Sequence, residues 1–459
     1  MHESQAIGAP GDVPVSDAEK RRALPWSVAA GVLASSVFTA WTVVGSVFLL
    51  YLRELDISKA QIGFLLSLFP FCQLIAPLVA PGVARLGAKR VSVGAYVGRS
   101  LAIAALLLLP LVMAAGGRAW AVAAVTVVLL VYAVLRAVAE TAWYPWGQDY
   151  TPEDVRGKYG ALNSVCAGAA SLLALAVAGY VIAHGQGLAR IMLLQGAGCA
   201  AGLCGAVLFL KVPGGRPTPA AAARRAHWAE MRQALRDVNF RYFLCGTAAV
   251  TLVAAMAAFL PLLLAEKVGI RPGTVVWLDG AAMIGSLASC FLWGWLADRY
   301  GSRTALMPGL TLGLVLSVAW CVIATTGLGS RLGTAGIATL VLAGGIAAAA
   351  VSIGSGRLLL TGVVPPDKSV AYTAIFYSWS GLCGGVGSLL AGGILSAAAG
   401  LRQHLNLPLA DPYAVLFALS VVPSVLGWVF FVRTRPDGPA RTRDLIGRLA
   451  ARAGGLMRL

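Results

Sequence analysis

Five charged side chains lie away from the ends of long apolar stretches in this sequence. They are Asp279, Glu140, Arg99, Arg136 and Arg357. A charge at the centre of a bilayer costs roughly 2.5–3.5 kcal/mol on insertion scales, so each of these residues needs a compensating role. The set therefore contains the first candidates for binding a solute, a proton or a cation.

Asp279 is the carboxylate expected to lie farthest from cytoplasmic water. At helical spacing it shares a face with Met283, Ser286 and Cys290. Two interpretations are open: a site for a proton or cation, or a structural hydrogen bond to a neighbouring helix. Glu140 is a second candidate for proton coupling. No histidine is expected deep in the membrane, so proton coupling would use these carboxylates.

Arg136 and Glu140 are one helical turn apart and can pair within their helix. Arg99 is expected at a comparable depth, so the three could form one buried network that gates or stabilises the protein. The alternative is direct contact of Arg136 with a solute. Arg357 either lines the cavity or extends to the cytoplasmic interface. Three arginines against two carboxylates favour an anionic or zwitterionic solute.

Hydroxyl side chains form a continuous stripe in the first apolar stretch. The stripe consists of Ser35, Thr39, Thr42 and Ser46, spaced four, three and four residues apart. It predicts a face that contacts water or solute, although hydroxyl packing between helices would give the same pattern. Weaker candidates for the same cavity are Thr247, Thr251 and Tyr377.

The elements that must position these residues are membrane-spanning helices. Only 12% of residues are charged, about half the share of an average soluble protein, and 58% are hydrophobic. Successive apolar stretches are long enough to cross a bilayer. We predict an all-α membrane protein with twelve spans at approximately 27–52, 60–84, 90–113, 119–146, 158–183, 189–211, 241–265, 274–297, 304–326, 334–363, 370–399 and 412–433.

Lys and Arg are distributed unevenly over the predicted loops. With both termini in the cytoplasm, cytoplasmic segments carry roughly three times as many as external ones. This predicts a tail at 1–26, six-helix bundles at 27–211 and 241–433, a linker at 212–240 and a basic tail at 434–459. Part of the linker and the end of the tail could form basic surface helices. The charge then favours contact with anionic lipids and not nucleic-acid binding.

A basic loop occurs twice, about 214 positions apart, each time between two apolar stretches. The second copy contains Gly294, Asp298, Arg299, Gly301 and Arg303. The first copy keeps Arg85, Gly87, Lys89 and Arg90, but it has Ala80 and Ala84 where the second has Gly294 and Asp298. Matching loops in two halves predict a duplicated, pseudo-symmetric fold with a solute site between the halves.

With its twelve spans and the loop from Gly294 to Arg303, the chain resembles the major facilitator superfamily over roughly residues 25–435. The resemblance implies two pseudo-symmetric six-helix bundles and a first span that lines the cavity. It also implies gating by the two loops. Within the family the Asp at the position of Asp298 helps to close the cytoplasmic side, and its replacement by Ala84 weakens this expectation for the first half.

The sequence predicts a secondary active transporter of a small solute that works by alternating access and is driven by a proton or solute gradient. Uptake and efflux both remain open. The alternative is a non-transporting sensor or a partner within a membrane complex. We expect a monomer in the bacterial cytoplasmic membrane. No Walker or HExxH signature occurs, so we expect no enzyme activity, no cofactor and no metal.

Overall fold

A computed structural model describes residues 16–43, 45–152, 155–185, 187–217, 231–326, 328–364, 369–405 and 411–437. The predicted surface helix in the linker falls mostly outside these residues, which include only a helical turn at 231–236. The one predicted at the end of the basic tail lies wholly outside them.

Within these described ranges, twelve helical spans form two bundles of six. In the first bundle the spans comprise, in order, Asp17–Gly31 with Val32–Val37, Phe38–Thr42 and Ser46–Glu54; Lys59–Cys72 with Gln73–Ile75 and Ala76–Leu86; Ala88–Ala104 with Ala105–Leu108 and the part of Leu109–Tyr150 before Gly117; the part of Leu109–Tyr150 after Gly117; Arg156–His184; and Ala189–Phe209. In the second bundle they comprise Val238–Ala257 with Leu260–Glu266; Pro272–Tyr300; Arg303–Thr326; Leu328–Leu358 with Leu359–Val363; Ser369–Leu405; and Pro412–Arg433.

Spans 3 and 4 follow each other almost without a loop. Eleven segments of the described chain are long and apolar enough to cross a membrane, and one of them runs for 63 residues from Ala88 to Tyr150. Inside it, Gly117 has φ 71° and ψ −168°, a non-helical conformation that divides the segment into two helices. The turn at Gly117 separates span 3 from span 4, so the spans number twelve as predicted.

Span 1 departs most from the prediction. Its helix begins at Asp17, inside the predicted tail, where the Ser16 hydroxyl accepts the N–H of Glu19. It includes a π-helical segment at Val32–Val37 and is interrupted near Gly45, which has φ 78°. The continuous helix predicted for residues 27–52 is therefore two helices joined by a non-helical connection.

The two bundles repeat the same contact at the ends of spans 6 and 12. The Lys89 ammonium donates to the carbonyl of Leu210 at 2.9 Å, and the Arg303 guanidinium donates to Val432 at 2.6 Å and also to Thr434. A basic side chain suits the carbonyl-rich end of a helix. We call the surface that carries Lys89, Leu210, Arg303 and Val432 the terminal face. The surface at the other ends of the spans is the opposite face.

Glycines bring the bundles together at two related places. A Cβ on Gly63 of span 2 would lie 2.8 Å from the Cα of Gly392 in span 11. A Cβ on Gly273 of span 8 would lie 2.9 Å from the carbonyl oxygen of Gly179 in span 5. These two pairs occupy corresponding places in the duplicated halves, and both allow backbones to touch across the interface.

Candidate functional site

A cavity of about 670 Å³ lies between the bundles. Spans 1 and 5 form its wall on one side, and spans 8 and 10 on the other. Thirteen residues line it: Ser35, Ser36, Thr39, Ala40, Gly45, Ser171, Leu175, Asp279, Ala282, Met283, Ser286, Gly345 and Ala348. Its size is in the range of small-molecule sites in proteins.

Asp279 connects the cavity to the interruption in span 1. Its Oδ2 accepts the backbone N–H of Ser46 at 2.9 Å, although Asp279 belongs to the second bundle and Ser46 to the first. Ser46 is the first residue of the helix Ser46–Glu54, whose first N–H groups have no partner within the helix. A carboxylate at this position stabilises the helix N-terminus through both the hydrogen bond and the helix dipole.

Arg99 contacts the π-helical segment of span 1. Its guanidinium donates to the carbonyl of Ala34, which lies inside that segment, and it stacks on the rings of Phe38 and Tyr96. The Arg99 side chain is buried, with 5% of its surface exposed. A π-helical turn shifts the angular position of the residues that follow it, and such turns occur often at functional sites. Both Ser35 and its neighbour Ser36 line the cavity.

The predicted hydroxyl stripe is divided by this geometry. Ser35 and Thr39 line the cavity, whereas Thr42 and Ser46 are fully buried elsewhere. The Thr42 hydroxyl donates to the carbonyl of Phe38. The π-helical segment alters the angular position of Thr42 relative to Ser35, and Ser46 lies beyond the interruption near Gly45, so α-helical spacing relates neither of them to Ser35.

Three weaker cavity candidates also lie outside the lining residues. The hydroxyls of Thr247 and Thr251 donate to backbone carbonyls one turn earlier in span 7, at 2.9 Å each. The Tyr377 side chain in span 11 is 62% exposed. Ser36 and Ser171 line the cavity but were not predicted, because neither belongs to a polar stripe in the sequence.

Arg136 and Glu140 form the predicted pair, with 2.7 Å between Nε and Oε1. The Gln73 amide of span 2 lies 3.5 Å from the same carboxylate. Arg99 contacts Ala34 instead, so the three charges do not form the single network that the sequence suggested. The Glu140 side chain is 47% exposed, and neither residue of the pair is among those lining the cavity.

Arg357 lies at the terminal face and bridges two carboxylates. It donates to Asp298 at 3.1 Å and to Asp437 at 2.6 Å. The Asp437 side chain is 1% exposed, whereas that of Asp298 is 79% exposed. Asp437 also accepts hydrogen bonds from the hydroxyl and N–H of Ser302 and from the hydroxyl of Thr361. The prediction missed Asp437 because it placed this residue in the basic tail.

The electrostatics of Asp437 follow from these contacts. Burial by itself would raise the pKa of the carboxyl, but the hydrogen bonds from Ser302 and Thr361 and the charge of Arg357 outweigh it. The pKa of Asp437 is therefore lowered from its ordinary value. Asp437 is thus an ionised carboxylate that fixes the chain after span 12 to spans 9 and 10.

The remaining residues of the repeated loops have separate roles. Gly87 and Gly301 have φ values of 92° and 98°, and each begins the turn into the next span. Arg299 stacks near the rings of Trp295 and Tyr300, not against Asp298. Arg85 and Arg90 are exposed, and a Cβ on Gly294 would meet nothing within 4 Å.

An ion pair joins the bundles at the opposite face. The Lys59 ammonium of span 2 lies 2.8 Å from Oε2 of Glu266 in span 7, and Arg53 lies 3.9 Å from Oε1. Tyr413 donates its hydroxyl proton to Glu266 at 2.7 Å, and the Lys59 ammonium lies 4.4 Å from the centre of the Tyr413 ring. These contacts and the glycine pairs join the two bundles at the opposite face.

Two six-helix bundles with a cavity between them form the arrangement expected of a duplicated multi-pass membrane fold. The family model described as Major Facilitator Superfamily matches residues 30–263 and again residues 242–454. The chain belongs to the Major Facilitator Superfamily. A search of curated proteins found no match.

Solved structures share this fold at low sequence identity. The nucleoside transporter NupG is 14% identical, with a TM-score of 0.64 over 90% of this chain and 98% of that one. A bacterial homologue of the iron transporter ferroportin, in an inward-facing state, is 15% identical, with a TM-score of 0.66 over 90% and 98%. The D-xylose-proton symporter is 15% identical, with a TM-score of 0.62 over 90% and 96%. At these identities the likeness concerns the fold alone.

Proposed function

We propose that this protein is a secondary active transporter that moves a small solute by alternating access, driven by a proton or solute gradient. The observation that carries the proposal is the hydrogen bond between Asp279 and the N–H of Ser46. It connects the two bundles and lies beside the cavity that they share. Anything that neutralises or draws away this carboxylate also weakens a contact between the bundles, which couples binding to their relative movement.

The orientation follows from charge. The terminal face carries the basic turns with Arg85, Lys89 and Arg90 and with Arg299 and Arg303. Cytoplasmic loops of membrane proteins are enriched in Lys and Arg, and such loops bind anionic headgroups. We therefore assign the terminal face to the cytoplasm of a bacterial cell. The ion pair of Lys59 with Glu266 then closes the external side, which makes this state inward-facing.

Asp279 is proposed as the proton-coupling residue. It is the charged residue that lines the cavity, whereas Glu140 is paired with Arg136 outside the lining. A proton on Asp279 removes the ionic part of its interaction with the helix N-terminus at Ser46. Proton binding and release would thus change the preference between inward-facing and outward-facing states, for which a few kcal/mol suffices.

The test begins with the purified protein. A library of metabolites and drugs is screened for compounds that raise its melting temperature, since a ligand that prefers the folded state stabilises it. The compounds found are then applied to proteoliposomes that contain a pH-sensitive dye. We expect at least one compound to drive proton flux. Asp279→Asn should abolish the flux while the protein stays folded, and Asp56→Asn, which alters an exposed carboxylate, should preserve it.

Two results would contradict the proposal. Stabilising compounds that produce neither uptake nor proton flux would indicate a sensor or a complex partner instead of a transporter. Normal proton-driven uptake by Asp279→Asn would remove the coupling role of this residue.

A further inference from the structure

The arginines that suggested an anionic solute are engaged elsewhere. Arg136 is paired with Glu140, and Arg357 is paired with Asp298 and Asp437. Arg99 lies against Ala34 and Phe38 on a face of span 1 different from the one formed by Ser35 and Thr39. Their positive charges therefore do not belong to the surface that a solute in the cavity would touch.

The cavity surface itself carries one charged side chain. Among its thirteen lining residues, Asp279 is the ionisable one, and five others contribute hydroxyl groups: Ser35, Ser36, Thr39, Ser171 and Ser286. Hydroxyls can orient a polar group but do not neutralise a carboxylate. An ionised carboxylate in a region of low dielectric is unfavourable unless a proton or a positive charge accompanies it.

The rest of the surface is apolar. Leu175, Met283, Ala282 and Ala348 line the cavity beside the hydroxyls. A thioether side chain such as Met283 is polarisable and adapts to ligands of different shapes. An organic body with a single positive charge matches this combination of one carboxylate, several hydroxyls and apolar side chains.

A metal ion matches it less well. Hard cations such as Ca²⁺ require six to eight oxygen ligands, usually with several carboxylates. Among the described residues, no group of three or more His, Cys, Asp or Glu side chains could hold a metal ion. The single carboxylate of Asp279 is suited to an ammonium group, whose charge is spread over a larger volume.

We propose that the solute of this cavity is an organic cation, with a protonated amine or quaternary ammonium group beside Asp279 and an apolar body against Leu175 and Met283. When the cation binds, the proton on the Asp279 carboxyl leaves to solvent, so one positive charge replaces another. The inference rests on the proposed transport function and specifies its substrate class.

The test compares three probes that share a phenyl ring and differ in charge. They are benzyltrimethylammonium, its uncharged carbon analogue neopentylbenzene, and benzenesulfonate. Binding to the purified protein is measured by titration calorimetry or by the shift in melting temperature. We expect the cation to bind at least about tenfold more tightly than the neutral analogue.

The variants show whether this preference comes from Asp279. Asp279→Asn should remove the preference, and Asp56→Asn should retain it, because Asp56 is exposed at the opposite face. Asp279→Glu, which keeps the charge, should preserve a preference for the cation. Equal or tighter binding of the neutral or anionic probe would overturn the inference, as would an unchanged preference in Asp279→Asn.

Failure of the substrate class can be separated from failure of the transport function. Proton flux driven by a neutral or anionic solute would overturn the cationic class while leaving transport established. Selective binding of benzyltrimethylammonium without flux for any stabilising compound would uphold the class of ligand and overturn transport.

Discussion

The carboxylate of Asp279 accepts the N–H of Ser46 at 2.9 Å, and this hydrogen bond crosses from the second six-helix bundle to the first. Two features of the sequence make it possible. Span 1 is interrupted near Gly45, which leaves the first N–H groups of the helix Ser46–Glu54 without partners in a preceding helical turn. Asp279 lies seven residues into span 8, level with the interruption. The cavity therefore borders a contact between the bundles, and ligand binding there can influence how they move.

The glycine pair between spans 2 and 11 provides the first prediction. A Cβ on Gly392 would lie 2.6 Å from the carbonyl oxygen of Lys59, so Gly392→Ala should separate these spans at the opposite face. We expect a longer distance between a spin label at Asp56 in the first bundle and one at Arg271 in the second, measured by pulsed electron paramagnetic resonance. The matched control is Gly393→Ala, because a Cβ on Gly393 meets nothing within 4 Å. An identical distance distribution for both variants would contradict closure through Gly392.

The ion pair at the opposite face provides the second prediction. Glu266→Gln removes the partner of Lys59, and a partly exposed ion pair contributes up to about 1 kcal/mol. The population open at the opposite face should therefore rise, by up to about fivefold. The same pair of spin labels detects this change. Glu54→Gln is the control, since Glu54 pairs with Arg190 within the first bundle. A shift as large in the control would show that the effect is not specific to the interface.

Arg99 provides the third prediction. Arg99→Met leaves the Ala34 carbonyl without this donor and removes the stacking on Phe38 and Tyr96. We expect a loss of about 1.5–3 kcal/mol of stability, the contribution of a hydrogen bond from a charged group. Thermal unfolding of the purified protein measures it, with Arg90→Met as a control at an exposed position. A melting temperature equal to that of the wild type would mean that Arg99 does not hold the π-helical segment.

Asp437 provides the fourth prediction, which depends on pH. The pKa of Asp437 is lowered in the folded protein, so the ionised carboxylate stabilises the fold at pH values above its ordinary pKa. This stabilisation is lost as the pH falls through the lowered pKa. Asp437→Asn should thus reduce the melting temperature at pH 7, and the difference from wild type should shrink only below about pH 4. Asp298→Asn should have a smaller effect, because Asp298 is 79% exposed. Equal effects of the two substitutions would contradict the assignment.

Much of the fold could be predicted because it depends on simple quantities. The apolar runs are long enough to cross a bilayer, and the repeated loops with Gly87 and Gly301 reveal the duplication. Asp279 became a candidate because a carboxylate inside an apolar run is rare, and it lines the cavity. The same spacing placed Met283, Ser286 and Cys290 on its face, and because span 8 is one continuous helix, Met283 and Ser286 line the cavity with it, whereas Cys290 does not.

The rest of the site depended on features that spacing does not reveal. The π-helical segment and the interruption near Gly45 change which residues of span 1 face the cavity. Thr42 and Ser46 therefore lie outside its lining, whereas Ser36, which the spacing did not indicate, is part of it. Asp437 was missed because it follows the last apolar run. The first half contains a related contact. The segment after span 6, with Gly214 and Gly215, corresponds to the segment after span 12 that contains Asp437, and the N–H of Gly215 donates to the carboxylate of Asp149.

The most direct test of alternating access around this cavity is the accessibility of Ser171, which lines it from span 5. A single cysteine is placed at this position in a chain whose eight native cysteines have been replaced. A membrane-impermeant thiol reagent is then applied from either side of oriented vesicles. Alternating access predicts labelling from both sides, with Gly392→Ala and Glu266→Gln increasing the rate from the opposite face. Labelling from the terminal face alone, unchanged in both variants, would contradict it.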